Sequence, residues 1–356
     1  MEAEPVQFLW RRYEERLEPA RKRVAKFVGV RPQDFVFVTN ATSGVNAVTR
    51  SLALRRGDEL LTTNHDYNAC RNVVAEVARR AGARLVVASL PFPVQSEEEI
   101  VEAILRAVTR RTRLAMIDHV TSHTAMVLPI QRIIRELTAR GVDTLVDGAH
   151  APGMVPLNIS KLGAAYYTGN LHKWVCAPKG AGFLWVREEK QKDVMPAVIS
   201  HGNNTSRPGF SAFQDRFDWA GTADPTAWFC AAESIRWLEQ LLPGGWNELR
   251  RRNHELVVEA RGLLCERWQV EPACPESLLG SIATVRLPER LQGRGRSGKI
   301  DAEQLWLYDR SGIEVPFLWI GKPVRRYLRV SAQIYNGLED YSYLAEAVKL
   351  CALKAR

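Results

Sequence analysis

Leu114-Ala115-Met116-Ile117-Asp118-His119-Val120, then Pro129 to Arg140, then Thr144-Leu145-Val146-Asp147 read as strand, helix and strand. Working outward, the alternation continues toward the amino terminus. Phe8 to Val28 has apolar residues at helical spacing and stops at Gly29, and Phe35-Val36-Phe37-Val38 reads as a buried strand. Asn40-Ala41-Thr42-Ser43 is a turn opening a helix to about Leu54, Leu60 to Thr62 is a strand, and Tyr67 to Arg80 a helix. Arg84 to Leu90 is a strand, and a helix follows Ser96, which forms a capping box with Glu99. Strands and helices alternating on this scale mean βαβ units, hence an α/β fold with a mainly parallel sheet covered on both faces.

After Gly148 the rhythm changes. Ala164 to Thr168 and Gly182 to Val186 read as strands with little helix between them, and helices are expected over Thr226 to Leu242 and Trp246 to Trp268. The tail alternates again: Ser281 to Leu287 a strand, Asp301 to Arg310 a helix, Ile313 to Phe317 and Tyr327 to Ala332 strands, and a last helix after Gly337. The expected organisation is an amino-terminal helix over 1–30 packed on a large domain of 31–244, with a smaller α+β domain over 245–356. Gln292 to Gly298 reads as an exposed, flexible loop by composition.

Composition excludes several classes. In 356 residues, 46% are hydrophobic and 25% charged, as in an ordinary globular protein of about two domains. The formal net charge of +9 raises anionic partners, but Glu14, Glu15 and Glu18 interrupt the densest basic stretch, Arg11 to Lys26, which reads as a solvated helix face and not a nucleic-acid surface. Six scattered cysteines without a C-x-x-C pair argue against a disulfide framework and a zinc knuckle. With no apolar run of membrane-spanning length and no signal-peptide pattern at the amino terminus, a cytoplasmic setting is the expectation.

Some apparent motifs carry no chemistry. Gly293 to Lys299 has P-loop spacing, but Ile300 stands where Ser or Thr is needed and no strand leads into it. His119 and His123 stand four apart, but they follow a strand and not a helix, so no metal site is expected. There is no G-x-S-x-G elbow.

One constellation remains. Asp147 ends a strand within Val146-Asp147-Gly148-Ala149-His150, and Lys173 follows the next strand within Thr168-Gly169-Asn170-Leu171-His172-Lys173-Trp174. Strand ends at the carboxyl edge of an α/β sheet are where ligands bind. A desolvated lysine beside other cationic groups loses its proton readily and can form a Schiff base. A lysine and an aspartate on neighbouring strand ends are what pyridoxal phosphate needs, one for its aldehyde and one for its ring nitrogen. Either residue alone would read as structural. Thr39-Asn40-Ala41-Thr42-Ser43 can hold a phosphate at a helix amino terminus, although Thr42 taken alone reads as a helix cap. Near Asn64-His65-Asp66-Tyr67-Asn68, an aromatic ring at another strand end can stack on a flat cofactor or simply pack.

Together these pieces resemble the class V branch of fold-type I pyridoxal-phosphate enzymes, and within it isopenicillin N epimerase-like proteins. The resemblance runs through residues 37–46, 65–69, 146–153, 167–174, Trp219-Ala220-Gly221-Thr222-Ala223-Asp224-Pro225 and Leu328-Arg329-Val330-Ser331-Ala332-Gln333-Ile334-Tyr335-Asn336. It implies a seven-stranded-type sheet, Lys173 as the Schiff-base lysine, Asp147 on the pyridine nitrogen and His150 near the ring hydroxyl. It also implies Tyr67, or alternatively His65, over the ring face, and Ala41, Thr42, Asn170 and His172 at the phosphate. Gly221 and Thr222 imply a homodimer with shared active sites, since in this family that turn reaches the neighbouring subunit's phosphate. Arg329 looks like the residue that takes a substrate carboxylate, an internal ion pair being the lesser alternative.

The family usually carries an arm before the first helix; here the chain starts close to that helix, so the substrate site is expected to lack that arm's contribution. Ile313-Glu314-Val315-Pro316-Phe317-Leu318-Trp319, the stretch matching the nucleophile loop of cysteine desulfurases, has no cysteine, which argues against persulfide chemistry. The resemblance thus implies epimerisation at the α-carbon of an amino acid or amino-acid moiety, with Tyr67 as the second acid. The alternatives are a C–S lyase on a cysteine conjugate or its sulfoxide, a transaminase, and, in another class, a cofactor-holding pseudoenzyme or anion-binding scaffold. His201, Asn203, Asn204 and Arg207, in the loop of 200–218, are polar candidates for the side-chain pocket.

Overall fold

The computed structural model describes residues 1–292 and 301–354. Its larger sheet is built from β1 (Phe35–Val38), β2 (Glu59–Thr63), β3 (Arg84–Ala88), β4 (Thr112–Asp118), β5 (Asp143–Gly148), β6 (Tyr166–Asn170) and β7 (Gly182–Val186). They lie in the order β1-β7-β6-β5-β4-β2-β3. Only β7 runs against its neighbours, between β1 and β6, so the other six strands point their carboxyl ends to one edge.

The strands alternate between two cores, as a period of two requires when both faces are covered. Phe35, Phe37, Leu61, Ile117, Val146 and Phe183 enter one core, while Val36, Val38, Leu60, Met116, Leu145 and Leu184 enter the other. The crossovers α2 (Ala41–Arg50), α3 (Asn68–Ala81), α4 (Glu97–Arg106) and α5 (Ile130–Thr138) cover the two faces, and α1 (Tyr13–Val28) precedes them. After β7 come α6 (Ala212–Asp218), α7 (Thr226–Gln240) and α8 (Gly245–Trp268). The tail forms a three-stranded antiparallel sheet in the order β8 (Ile282–Arg286), β10 (Arg325–Ser331), β9 (Phe317–Ile320), packed with α9 (Ala302–Ser311) and α10 (Leu338–Lys354). The fold is therefore α/β, with a mainly parallel seven-stranded sheet and a smaller carboxy-terminal α+β part. Among the described residues no helix is long and apolar enough to cross a membrane.

Several local expectations need correction. The strand read over Ile313 to Phe317 begins only at Phe317, because Pro316 has no N–H for the ladder. The first helix breaks into one wide turn at Gln7–Arg11 and α1 proper, and α2 ends at Arg50, short of Leu54. The cap of α2 is Asn40, whose Oδ1 accepts from Ser43 N at 2.9 Å, and not Thr42. The Ser96 box is half made: Ser96 Oγ accepts from Glu99 N, but the Glu99 carboxylate accepts from Gln95 N instead. Residues 293–298 of the expected loop lie outside the described residues; Gln292 is buried, its amide donating to the Leu287 and Arg326 carbonyls. The stretch read as the loop 200–218 contains α6, with a capping box of its own between Ser211 and Gln214.

Buried charge ties α1, β1 and α6 together. The Arg21 guanidinium, fully buried, donates to Asp218 Oδ2 at 2.6 Å, to the Phe35 carbonyl at 2.8 Å and to Glu18 at 2.7 Å. Arg207 completes the group with Asp218 at 2.7 Å and Asp215 at 2.6 Å.

Candidate active site

Three strand ends meet above the sheet. β1 ends before the Asn40 cap, which directs the amino terminus of α2 inward; β5 ends at Asp147-Gly148; and β6 ends at Asn170, followed by a tight turn carrying Lys173. The close approach of the first and last elements depends on Gly182, where a Cβ would lie 2.7 Å from Asn40 Cα. Asn170 Oδ1 accepts from Ala41 N at 2.8 Å, which joins the end of β6 to the first turn of α2.

The result is a cavity of about 230 Å³. Ala41, Thr42, Tyr67 and Asp147 line it, as do His150, Asn170, His172 and Lys173, so residues separated by more than 130 positions in the chain share one space. Asp118 and Ser122 line it as well. His65 does not. It is buried behind the cavity, its Nδ1 3.1 Å from Thr124 Oγ1 and its ring edge-on to Phe92, so Tyr67 is the aromatic residue exposed to the space. Burial holds the His65 imidazole down to about 4.

Arg329 stands at the wall behind Ser122, Nη1 donating to the Ser122 carbonyl at 2.6 Å; among the described residues no carboxylate partners it, and its buried Nε has no partner. Gly221 and the exposed Thr222 lie elsewhere; Gly221 lines a second cavity of about 220 Å³ whose walls include Tyr13, Phe37, Trp219 and Trp228. That space is aromatic and contains neither Lys173 nor Asp147. Of the polar candidates after β7, His201, Asn203 and Asn204 are exposed away from the site. Arg207 is spent on Asp215 and Asp218 and stacks on Phe210.

The electrostatics favour amine chemistry. Burial lowers the Lys173 ammonium to about 8, against the pull of Asp147, with Arg329 adding to the lowering. Its Nζ lies 2.9 Å from His150 Nε2, and burial together with Lys173 drives the His150 imidazole well below its ordinary range. Burial raises both Asp147 and Asp118, which face each other in register on β5 and β4. Asp147 Oδ1 accepts from Ala149 N at 3.0 Å and Oδ2 from the Cys70 thiol at 3.2 Å. Each carboxylate oxygen keeps a second lone pair for a further N–H. Asp118 Oδ1 is buried with no partner at all. A desolvated amine, a fixed carboxylate and a helix amino terminus are a donor set that fits pyridoxal phosphate.

Cys70, Asp118 and Ser122 were not expected here. Asp118 carried a usable signal, since it ends a strand as Asp147 does. Cys70 and Ser122 carried none, because each reaches the site only through the packing of its loop or helix.

A family model described as aminotransferase class V matches residues 6–294. An isopenicillin N epimerase of Amycolatopsis lactamdurans is 36% identical over 98% of this chain and 88% of its own length. A probable chloroplastic L-cysteine desulfhydrase of Arabidopsis thaliana is 30% identical over 97% of this chain and 76% of its own. A cysteine desulfurase of Escherichia coli superposes with a TM-score of 0.76 at 21% identity, covering 97% of this chain and 85% of that one.

Proposed function

The chain belongs to the class V aminotransferase family, and from that premise we propose that it is a pyridoxal-phosphate enzyme acting at the α-carbon of an amino acid or amino-acid moiety, with epimerisation as the leading reaction. The observation that carries the reading is Lys173, a desolvated amine in one cavity with Asp147 and the first turn of α2.

Pyridoxal phosphate, when bound, supplies an aldehyde for amino groups and a ring that withdraws electrons from the α-carbon. Lys173 Nζ would hold the aldehyde, and its amine is the base placed to take the α-proton. Asp147 would accept from the ring N–H and keep it protonated. Ala41 and Thr42, at the start of α2, with Asn170 and His172 on the facing turn, would hold the phosphate. Arg329 takes the substrate carboxylate. Tyr67, half-exposed at the cavity, returns a proton to the second face, which is what epimerisation requires. The reading is supported by relatives named isopenicillin N epimerase at 36% and 34% identity.

A C–S lyase reading is supported by the relative named as an L-cysteine desulfhydrase at 30% identity. Incubation with L- and D-amino acids and cysteine conjugates in deuterated water separates the two. Deuterium at Cα with an intact side chain and inverted configuration is expected; release of pyruvate and a sulfur species would replace epimerase by lyase.

The remaining elements of the reading are a homodimer, in which Gly221 and Thr222 reach the partner's phosphate, a cytoplasmic location, and division into residues 1–30, 31–244 and 245–356. The exposed position of Thr222, away from the Lys173 cavity of its own chain, supports the first.

A further inference from the structure

The turn after β6 brings a tryptophan onto a histidine. Trp174 Nε1 lies 3.4 Å from His150 Nδ1, while Lys173 Nζ lies 2.9 Å from His150 Nε2. Trp174 and His150 are each only 8% exposed. An indole N–H can donate and nothing else, so His150 Nδ1 is the acceptor and carries no proton. A neutral imidazole then holds its proton on Nε2. That proton faces Lys173 Nζ, which answers with a lone pair once the amine is unprotonated. Turning the ring over would set carbon atoms against both the indole and the amine, so a single orientation satisfies both contacts.

Backbone packing holds this arrangement. Gly153 has φ +88°, and a Cβ there would lie 2.9 Å from the Trp174 carbonyl carbon and oxygen. The segment after β5 can therefore approach the Lys173 turn closely enough for the indole to reach His150.

We propose that Trp174 is a positioning residue that locks His150 in its Nε2–H tautomer, so that His150 donates to the unprotonated Lys173 amine and, with pyridoxal phosphate bound, would offer the same proton to that group. The second half rests on the pyridoxal-phosphate reading; the tautomer does not. A cationic His150 would set its own N–H against the indole N–H, so the histidine stays neutral. Charged and titratable groups around the pair act in both directions: Asp147, Asp118 and Cys70 favour the Lys173 ammonium, while Arg329 opposes it. His150 itself faces Lys173 and Arg329.

The test is long-range proton–nitrogen NMR on full-length protein labelled with 15N-histidine, with and without pyridoxal phosphate, His150 being assigned by its loss in His150→Gln. In the wild type above about pH 8, where the Lys173 amine is unprotonated, Nδ1 is expected at the unprotonated position and Nε2 at the protonated one. Trp174→Phe keeps a ring of similar bulk without the donor; there, exchange between tautomers and a protonation midpoint raised by about one pH unit or more are expected. A proton on Nδ1 in the wild type, or an unchanged His150 in Trp174→Phe, overturns the proposal. If Trp174→Phe does not fold, the wild-type indole proton decides: it should be shifted downfield and protected from exchange, and rapid solvent exchange overturns the lock. Failure of the cofactor reading would look different, as an intact tautomer signal with no visible absorbance on adding pyridoxal phosphate.

Discussion

Cys70 Sγ lies 3.2 Å from Asp147 Oδ2, joining the first turn of α3 to the end of β5 across 77 residues of sequence. Burial and the neighbouring carboxylate push the thiol far up, so it remains S–H and donates. A hydrogen bond to a charged acceptor contributes about 1.5–3 kcal/mol, or roughly 10- to 100-fold. Cys70→Val should weaken pyridoxal-phosphate binding by that factor in an absorbance titration, and Cys70→Ser, which keeps a donor, should restore most of it. Equal affinity in all three proteins would show that the thiol does not hold Asp147.

Lys173→Ala should abolish the covalent mass increment that borohydride leaves after loading, and should lower turnover by at least about 100-fold. The wild-type amine reacts only when unprotonated, and burial lowers its midpoint to about 8. The rate of trappable loading should therefore rise with pH and level off above about 8. A rise continuing toward the ordinary lysine midpoint near 10.4 would mean that the amine is solvated.

Among the described residues, Arg329 has no carboxylate partner and its buried Nε has no acceptor. Arg329→Lys keeps the charge and loses the planar fork. We expect KM for amino-acid substrates to rise roughly 10-fold in Arg329→Lys and more in Arg329→Ala, by the strength of a charge-assisted hydrogen bond. Pyridoxal-phosphate affinity measured on the same samples should not change; a parallel loss would place the arginine at the cofactor instead.

Arg21 sits fully buried against Asp218, whose carboxylate also receives Arg207. Removing one partner of a buried pair typically costs about 3–5 kcal/mol, because a charge is left behind. Arg21→Met should lower the urea-unfolding free energy by that order, moderated by Arg207. Asp218→Asn in the same background should recover part of it, and additive losses would rule out coupling between the two sites.

The sequence made the sheet legible because its strands are short, apolar and regularly punctuated. The strand-terminal Asp147 and the Lys173 turn followed from the same logic. Asp118 was legible on that principle but passed over, since a lone carboxylate at the end of β4 gains meaning only from its register with Asp147. Cys70 was illegible: nothing in Asn68-Ala69-Cys70-Arg71 states which strand end the thiol will meet. Arg207 misled for a physical reason, since its partners Asp215 and Asp218 belong to α6, a seven-residue helix whose apolar period is too short to read. Asn40 displaced Thr42 as the cap because the Asn40 backbone is extended and its amide oxygen reaches Ser43 N.

The antiparallel return of β7 between β6 and β1 has a bearing on synthesis. β1 leaves the ribosome before the other strands of its sheet, yet among the described residues it pairs only with β7, ending at Val186, some 150 residues later. At ~5–20 residues per second that interval is on the order of ten seconds or more. Throughout it Phe35-Val36-Phe37-Val38 has no strand to pair with, and the start of α2 has no Lys173 to face. Catalytic competence thus arrives late and all at once, when a strand closes the gap between the oldest and the newest edge of the nascent sheet.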